Sequence, residues 1–234
     1  MLRVALSKLT KNMVYASGAT FFSEMLVQKR FRDMPLSPPL LQDDPEYKLM
    51  HTVFADMGAD LEKKSLRIST VDEHTGILAG CAASPLFDTY NLVVSPNKVR
   101  RLSKKTINTS SAEDILTAIT AHEAVHAIEN HNAIISSSSS LFSLCVFDLC
   151  KHHRLPRGVT LAASIMAFGS LYIVMSKQME YRADMVAAKH DPKIRATLID
   201  VLMAMEHKPP LPDKIIARHP SHADRIHHLE SMKP

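Results

Sequence analysis

Cysteine is scarce in this chain of 234 residues, which contains only Cys81, Cys145 and Cys150. No two of these residues form a CxxC pair, and three thiols cannot all be joined in disulfide bonds. The sequence therefore does not indicate a disulfide-stabilised secreted scaffold. We expect free thiols, no cysteine among the ligands of any metal, and an intracellular reducing compartment, either membrane-associated or organellar.

Nucleic-acid-binding motifs are also lacking, although the formal net charge is +4. Residues 1–32 hold six basic residues against Glu24 alone, so the rest of the chain is close to neutral. A second basic cluster lies within residues 98–105. Because no aromatic platform or groove-reading motif accompanies either cluster, we expect no nucleic-acid partner.

The basic segment at the start of the chain fits three interpretations. It could be an amphipathic helix packed on the domain, a helix on an anionic membrane surface, or an organellar presequence. No apolar stretch there has the length of a signal peptide. Four prolines follow between residues 35 and 45. We therefore divide the chain into a basic arm with a proline-rich linker, 1–45, and a folded domain, 46–234.

Hydrophobic periodicity predicts a mainly α-helical domain with a small β-sheet, an α+β fold. Before residue 104 the predicted elements are a helix over 51–64, strands over 65–71, 77–83 and 89–95, and a short helix over 96–103. Ser110 or Ser111 then caps a long helix, with Glu113 and Asp114 in its first turn. A later amphipathic helix is predicted over 194–205.

Two apolar stretches, 133–147 and 158–176, lie in the second half of the chain. The second has no charged residue over 19 positions, which is near the roughly 18 to 20 residues that span a bilayer. Five consecutive serines interrupt the first. Together they predict a helical hairpin over 133–176, which fits a pair of membrane spans and a buried hairpin equally well.

Residues 122–126 read His-Glu-Ala-Val-His, an HExxH motif on the predicted long helix. Positions four apart on a helix differ by about 40° around its axis, so His122 and His126 point at one position. This arrangement binds zinc, and an ion with three protein ligands keeps a position for water. Glu123 then lies beside the ion, where its carboxylate can take a proton from that water. We predict one Zn²⁺, with His122 and His126 as ligands and Glu123 as the catalytic base.

A second pair of polar residues at helical spacing is Glu180 and Asp184. The segment around them is partly apolar, and an acid in such surroundings needs a partner. We predict Glu180 as the third zinc ligand. Asp184, one turn later, is placed to accept the outer N–H of a zinc-bound histidine and so fix its tautomer.

Other third ligands are less favoured. The metzincin pattern needs a glycine and a histidine where this chain has Glu129 and Asn132. His131 lies five positions after His126, about 140° around a continuous helix, so it should face away from the metal. We expect it at the surface or behind a ligand. Five further histidines lack a companion at ligand spacing and should be solvated: His152, His153, His190, His227 and His228.

A third element, residues 218–225, reads Arg-His-Pro-Ser-His-Ala-Asp-Arg. Pro220 can begin a helix there. His219 would lie at the mouth of that helix, where it could donate a hydrogen bond to the oxyanion of a tetrahedral intermediate. Arg225 would brace Glu180, Asp184 or the loop. A surface turn before a charged helix is an equally good interpretation on local grounds.

Together these residues resemble the zinc metallopeptidase family of HtpX, the CAAX prenyl endopeptidase and the mitochondrial inner-membrane Oma-type proteases. The resemblance covers about residues 72–225. In that family HExxH is often followed by a further histidine, as in HEAVHAIENH here. The third ligand comes from a motif like ExxAD, as at Glu180 to Asp184. His219 with the proline after it, and Arg225, are similar to the family's C-terminal motif.

The resemblance implies a zincin-like catalytic domain over 46–234, in which the HExxH helix packs against the short sheet and a second helix carries ExxxD. Relatives place a membrane hairpin where this chain has 133–176. They also usually carry an Asn-Ala pair ahead of the edge strand, and this chain has Gly80-Cys81-Ala82 there. Because an edge strand binds peptide through its backbone, this departure concerns the substrate groove more than the chemistry.

We therefore predict a zinc-dependent metalloendopeptidase that acts on a protein or peptide substrate, and association with a membrane is one of the two outcomes that the hairpin allows. An aminopeptidase would use the same chemistry, but it needs an anionic anchor for the substrate amine, and no dedicated motif is visible. A catalytically silent zinc-binding scaffold and a basic membrane or nucleic-acid adaptor are further alternatives, and the intact HExxH and ExxxD motifs argue against both.

Overall fold

The computed structural model describes residues 11–15, 17–18, 25, 36–72, 77–83, 88–106, 110–205 and 219–232. Most of the predicted arm and Arg218 lie outside this part of the chain. The fold is mainly helical with one small sheet, as predicted. The elements are β1 (Leu36–Pro39), α1 (Pro45–Asp56), β2 (Ser65–Val71), β3 (Ala79–Ala82), β4 (Thr89–Val94), α2 (Pro96–Ser103), α3 (Ala112–Ile128), α4 (His131–His152), α5 (Arg157–His190), α6 (Pro192–Ala204) and α7 (His222–Ser231).

The sheet has the strand order β1-β2-β4-β3. β2 and β4 are parallel, with Ile68 opposite Leu92, and each outer strand is antiparallel to its neighbour. Ile68 and Leu92 are buried in one core with Phe54 of α1 and Ile119 of α3. This core holds α3 against the sheet. It also places the edge strand β3 beside the helix that carries HExxH.

Local sequence explains where the helices begin. The Ser111 hydroxyl accepts a hydrogen bond from the Asp114 backbone N–H, and the Asp114 carboxylate accepts one from the Ser111 backbone N–H. This capping box makes Ser111 the cap of α3. Pro45 and Pro96 occupy the first turns of α1 and α2, where the missing N–H has no partner to lose.

One prediction about the segment before β2 was wrong. The helix predicted over 51–64 runs instead over Pro45–Asp56, since Pro45 begins it and Gly58, at a φ of 91°, turns the chain just after it. Part of the proline-rich segment forms β1, in which Leu36 lies opposite Val71 of β2.

Helices α4 and α5 form a hairpin whose burial pattern is inverted. Between residues 136 and 176 the buried side chains, apart from Cys150, are all Ser or Thr: Ser136, Ser139, Thr160, Ser164 and Ser176. Large apolar side chains face outward instead, including Leu161 (57% exposed), Ile165 (62%) and Met166 (66%). Both helices are long and apolar enough to cross a membrane, and only 28% and 11% of their most apolar stretches are buried.

Candidate active site

Two helices contribute the residues of the HExxH and ExxxD motifs. α3 carries His122, Glu123 and His126, and α5 carries Glu180 and Asp184. The spacing of four positions within each pair sets both members on the face where α3 and α5 pack together. The structure thus brings two segments that are far apart in sequence to one place.

Three ligand residues converge on one point. The Nε2 atoms of His122 and His126 are 3.1 Å apart. The first lies 3.5 Å from Oε2 of Glu180, and the second lies 3.5 Å from Oε1. One ligand atom from each residue lies within 4.8 Å of the other two, whereas zinc bonds of about 2.0–2.2 Å separate neighbouring ligand atoms of a tetrahedron by about 3.3–3.6 Å, so the group has roughly the size that a single ion needs. His122 and Glu180 are each only 7% exposed, which suits a site that excludes bulk water.

The other ring nitrogen of His122 faces the second acid of α5. Its Nδ1 lies 2.9 Å from Oδ1 of Asp184, which is fully buried. Arg225 of α7 donates two hydrogen bonds to the same carboxylate, from Nε at 2.7 Å and from Nη2 at 2.6 Å. Asp184 therefore contacts both Arg225 and the outer ring nitrogen of His122.

Glu180 is also contacted by groups that arrive from the C-terminal part of the chain. Nη1 of Arg225 lies 3.1 Å from Oε2 of Glu180, and Nδ1 of His219 lies 2.9 Å from Oε1. The His219 side chain is 68% exposed, whereas that of Arg225 is 13% exposed. Arg225 thus braces both Glu180 and Asp184, and His219 lies at the solvent side of the ligand group.

The sequence left two positions open for His131, at the surface or behind a ligand, and the structure places it directly behind His126. The two Nδ1 atoms are 2.9 Å apart, and His131 is 1% exposed. The cause is Asn130, whose left-handed backbone (φ 52°) ends α3 and lets α4 begin in a new direction. Asparagine adopts this conformation more readily than most residues. An asparagine directly before His131 was therefore the sequence signal that the helix could end there.

Glu123 lies between the metal group and the edge strand. Burial raises the pKa of its carboxyl group above the ordinary value of 4.5, while the charge on His122 and the backbone of Cys81 in β3 act in the opposite direction. A partly desolvated carboxylate beside the expected metal position is suited to proton transfer.

The electrostatics of the ligand group favour a cation. Burial alone lowers the pKa of His122, but contacts with Asp184 and Glu180 raise it to about 10. Burial, followed by the charge on His122, lowers the pKa of His126 to about 3. The acids therefore attract one positive charge to this point, and a metal ion that binds there takes the place of a proton.

A helix bearing HExxH beside a sheet with an edge strand, and a carboxylate from a second helix, define a zinc metallopeptidase of the zincin type. Residues 88–233, more than half of the chain, match peptidase family M48. The chain therefore belongs to this family. Zinc is the cofactor of such peptidases, and the His-His-Glu group of this chain suits one ion. The resemblance inferred from the motifs is thereby confirmed.

The fold is similar to that in the crystal structure of Ste24p from S. mikatae, with a TM-score of 0.57 and 18% sequence identity. The similarity covers 93% of this chain and 56% of the Ste24p chain. At this level of identity the likeness concerns the fold alone. No curated protein sequence gives a significant match.

Proposed function

We propose that this metallopeptidase is an endopeptidase in which His122, His126 and Glu180 hold the zinc ion and Glu123 is the general base. The observation that supports this most strongly is that the three side chains meet: the two Nε2 atoms are 3.1 Å apart, and each lies 3.5 Å from a different carboxylate oxygen of Glu180. A group of this size suits three ligands of one zinc ion. Glu123, next to His122 on the same helix, adjoins the ligand group without being part of it.

The residues divide the chemistry between them. Zinc, when bound, would act as a Lewis acid that makes water more acidic and a peptide carbonyl more electrophilic. Glu123 would take the proton from water and later deliver it to the leaving amine. Asp184 and Arg225 would hold His122 and Glu180 in place. His219 would donate a hydrogen bond to the oxyanion that develops on the substrate, since its exposed ring can move from Glu180 towards a bound peptide.

The edge strand β3 offers the peptide a place to bind. It is the last strand of the sheet on the side of α3, and it is antiparallel to β4. A substrate that pairs with β3 would extend in both directions past Glu123, as an endopeptidase requires. An aminopeptidase would need a spare carboxylate for the substrate amine. Among the described residues of the site, Glu180 and Asp184 are already engaged by Arg225.

This assignment predicts that blocking the amino terminus of a substrate has little effect. We expect an acetylated peptide and its free counterpart to be cleaved at the same internal bond at rates within a few-fold of each other, as followed by mass spectrometry. An aminopeptidase would lose an ion pair on acetylation and slow by about 10- to 100-fold. Removal of single residues from the free amino end, with the acetylated peptide left intact, would overturn the endopeptidase assignment.

The inverted hairpin supports a site of action at a membrane. In water, an exposed row that includes Leu161, Ile165 and Met166 would be unfavourable, whereas lipid is the matching environment for it. Small hydroxyl side chains between the helices are typical of helix packing inside a bilayer. One such contact is the hydrogen bond from the Ser143 hydroxyl to the Ser164 carbonyl, at 2.8 Å. We therefore propose that α4 and α5 insert into the membrane and hold the catalytic site near its surface.

Polar substitution on the outer face of α5 should release the protein from membranes. We expect the wild type to stay in the membrane pellet after alkaline extraction. The double variant Ile165→Asp, Met166→Asp should move largely to the supernatant, because each charge costs about 2.5–3.5 kcal/mol at the centre of a span. Met203→Asp, at an exposed apolar position of α6 outside the hairpin, serves as the control and should stay in the pellet. A wild-type protein that is monomeric in buffer without detergent would contradict the insertion.

A further inference from the structure

We infer that His131 is a positioning residue that sets the tautomer of His126, and that Glu129 and Arg182 hold His131 in that role. The inference rests on the proposed assignment of His126 as a metal ligand. Its basis is a continuous series of polar contacts that runs from the metal group to the surface of α5.

The contacts define the position of each proton. Arg182 binds the carboxylate of Glu129 through two nitrogens, with Nη2 2.8 Å from Oε1. Oε2 of the same carboxylate lies 2.9 Å from Nε2 of His131. A carboxylate paired with arginine can only accept, so Nε2 of His131 carries the proton. Nδ1 of a neutral His131 is then an acceptor, and its partner at 2.9 Å, Nδ1 of His126, must be the donor.

The consequence appears at the opposite side of the His126 ring. A proton on Nδ1 leaves Nε2 with its lone pair, and this is the atom that lies 3.1 Å from Nε2 of His122 and 3.5 Å from Glu180. The series therefore presents His126 in the form that binds metal. In the other tautomer the proton would occupy the coordination position.

The two histidines of the motif are thus supported in parallel but different ways. Behind His122 lies a carboxylate held by arginine, Asp184 with Arg225. Behind His126 lies a neutral imidazole, and the pair of carboxylate and arginine is one residue further away. His131 is completely enclosed, while the Glu129 side chain is 26% exposed and that of Arg182 is 52% exposed. The outer pair can therefore be altered without opening the core.

Two substitutions of His131 separate its hydrogen-bonding role from its volume. His131→Asn can place an amide oxygen where Nδ1 lies, and so keeps the acceptor for His126 while losing the contact with Glu129. His131→Gln reaches the position of Nε2 and keeps the contact with Glu129, but has no atom at the position of Nδ1. Glutamine is the closer match to histidine in volume, so a role in packing alone favours His131→Gln.

We expect the opposite order for zinc affinity. Measured by competition with a chelator on folded protein, His131→Gln should bind zinc about 10- to 100-fold more weakly than the wild type, as expected for the loss of an outer hydrogen-bond partner. His131→Asn should recover most of this loss. Equal affinities in the two variants, or weaker binding by His131→Asn, would overturn the inference.

A substitution at a more exposed residue should disturb folding less. Glu129→Ala leaves the enclosed ring in place and removes the group that orients it, so zinc affinity should fall by up to about 10-fold while the thermal unfolding temperature changes little. Unchanged zinc affinity in Glu129→Ala would count against the inference. His126→Ala distinguishes an error in the proposed metal site from an error in the role of His131. If it leaves zinc binding intact, the proposed metal site itself is wrong, whereas loss of zinc only in His126→Ala would reject the role of His131 alone.

Discussion

Replacement of Glu180 by alanine is expected to abolish zinc binding and peptide hydrolysis together. Glu180 is the one proposed ligand that α3 does not supply, and each of its two oxygens lies 3.5 Å from one of the two ligand nitrogens. Without it, two imidazoles would hold the ion alone. The loss of zinc affinity should exceed the about 10- to 100-fold that removal of an outer partner costs. Elemental analysis and digestion of an unstructured protein, on one preparation of Glu180→Ala, measure both effects.

Two controls make this result specific. Glu180→Gln preserves the volume beside Arg225, so it tests whether the lost function comes from the missing ligand or from a disturbed core. Glu230→Ala removes an exposed acid of α7 and should behave like the wild type. In the wild type, a chelator should remove activity and added zinc should restore it. A Glu180→Ala protein with full zinc content and activity would eliminate Glu180 as a ligand.

The members of the site could be predicted from sequence where helix geometry alone places them. His122 and His126 share a face because they are four positions apart, and the same holds for Glu180 and Asp184. Whether the two helix faces meet depends on tertiary packing. The spacing of residues along each helix carries no information about that packing. The structure supplies this step, because α3 and α5 pack together and bring His122 within 2.9 Å of Asp184.

The contact between His126 and His131 could not be predicted because it depends on a break in the helix. Along a continuous helix, His131 would lie about 140° away from His126. The left-handed backbone at Asn130 ends that helix and sets His131 behind the ring of His126, one of the two positions expected for it. The partners of His131 could not be predicted from local sequence either. Arg182 has no motif of its own, and its role arises only because α5 passes beside Glu129.

The sheet shows which strands the local sequence pattern predicts and which strand depends on its tertiary context. β2 and β4 could be predicted because their alternating and β-branched residues are buried on the face towards α1 and α3. β1 was missed because prolines rarely occur in strands. They are tolerated here at the edge of the sheet, where Pro39 lies opposite Ser69. The composition of the hairpin fits a pair of membrane spans and a buried hairpin equally well. The outward direction of its apolar side chains supports insertion into a membrane.

Replacement of Glu123 by glutamine is expected to separate metal binding from catalysis. Glutamine has nearly the same shape but cannot accept a proton, and Glu123 is not a member of the ligand group of His122, His126 and Glu180. We therefore expect zinc content like that of the wild type and a decrease in kcat of about 10²- to 10⁴-fold, the usual contribution of a general base. KM should change little, since the substrate would be held by the backbone of β3.

The matched control for this variant is Glu113→Gln, which makes the same change at an exposed position ten residues earlier on α3. It should leave kcat unchanged. The raised pKa of Glu123 reflects a desolvated environment in which an amide is readily accommodated, so Glu123→Gln should fold normally. Wild-type kcat in Glu123→Gln would remove this residue from the role of base, and loss of zinc would show that it acts instead as a ligand.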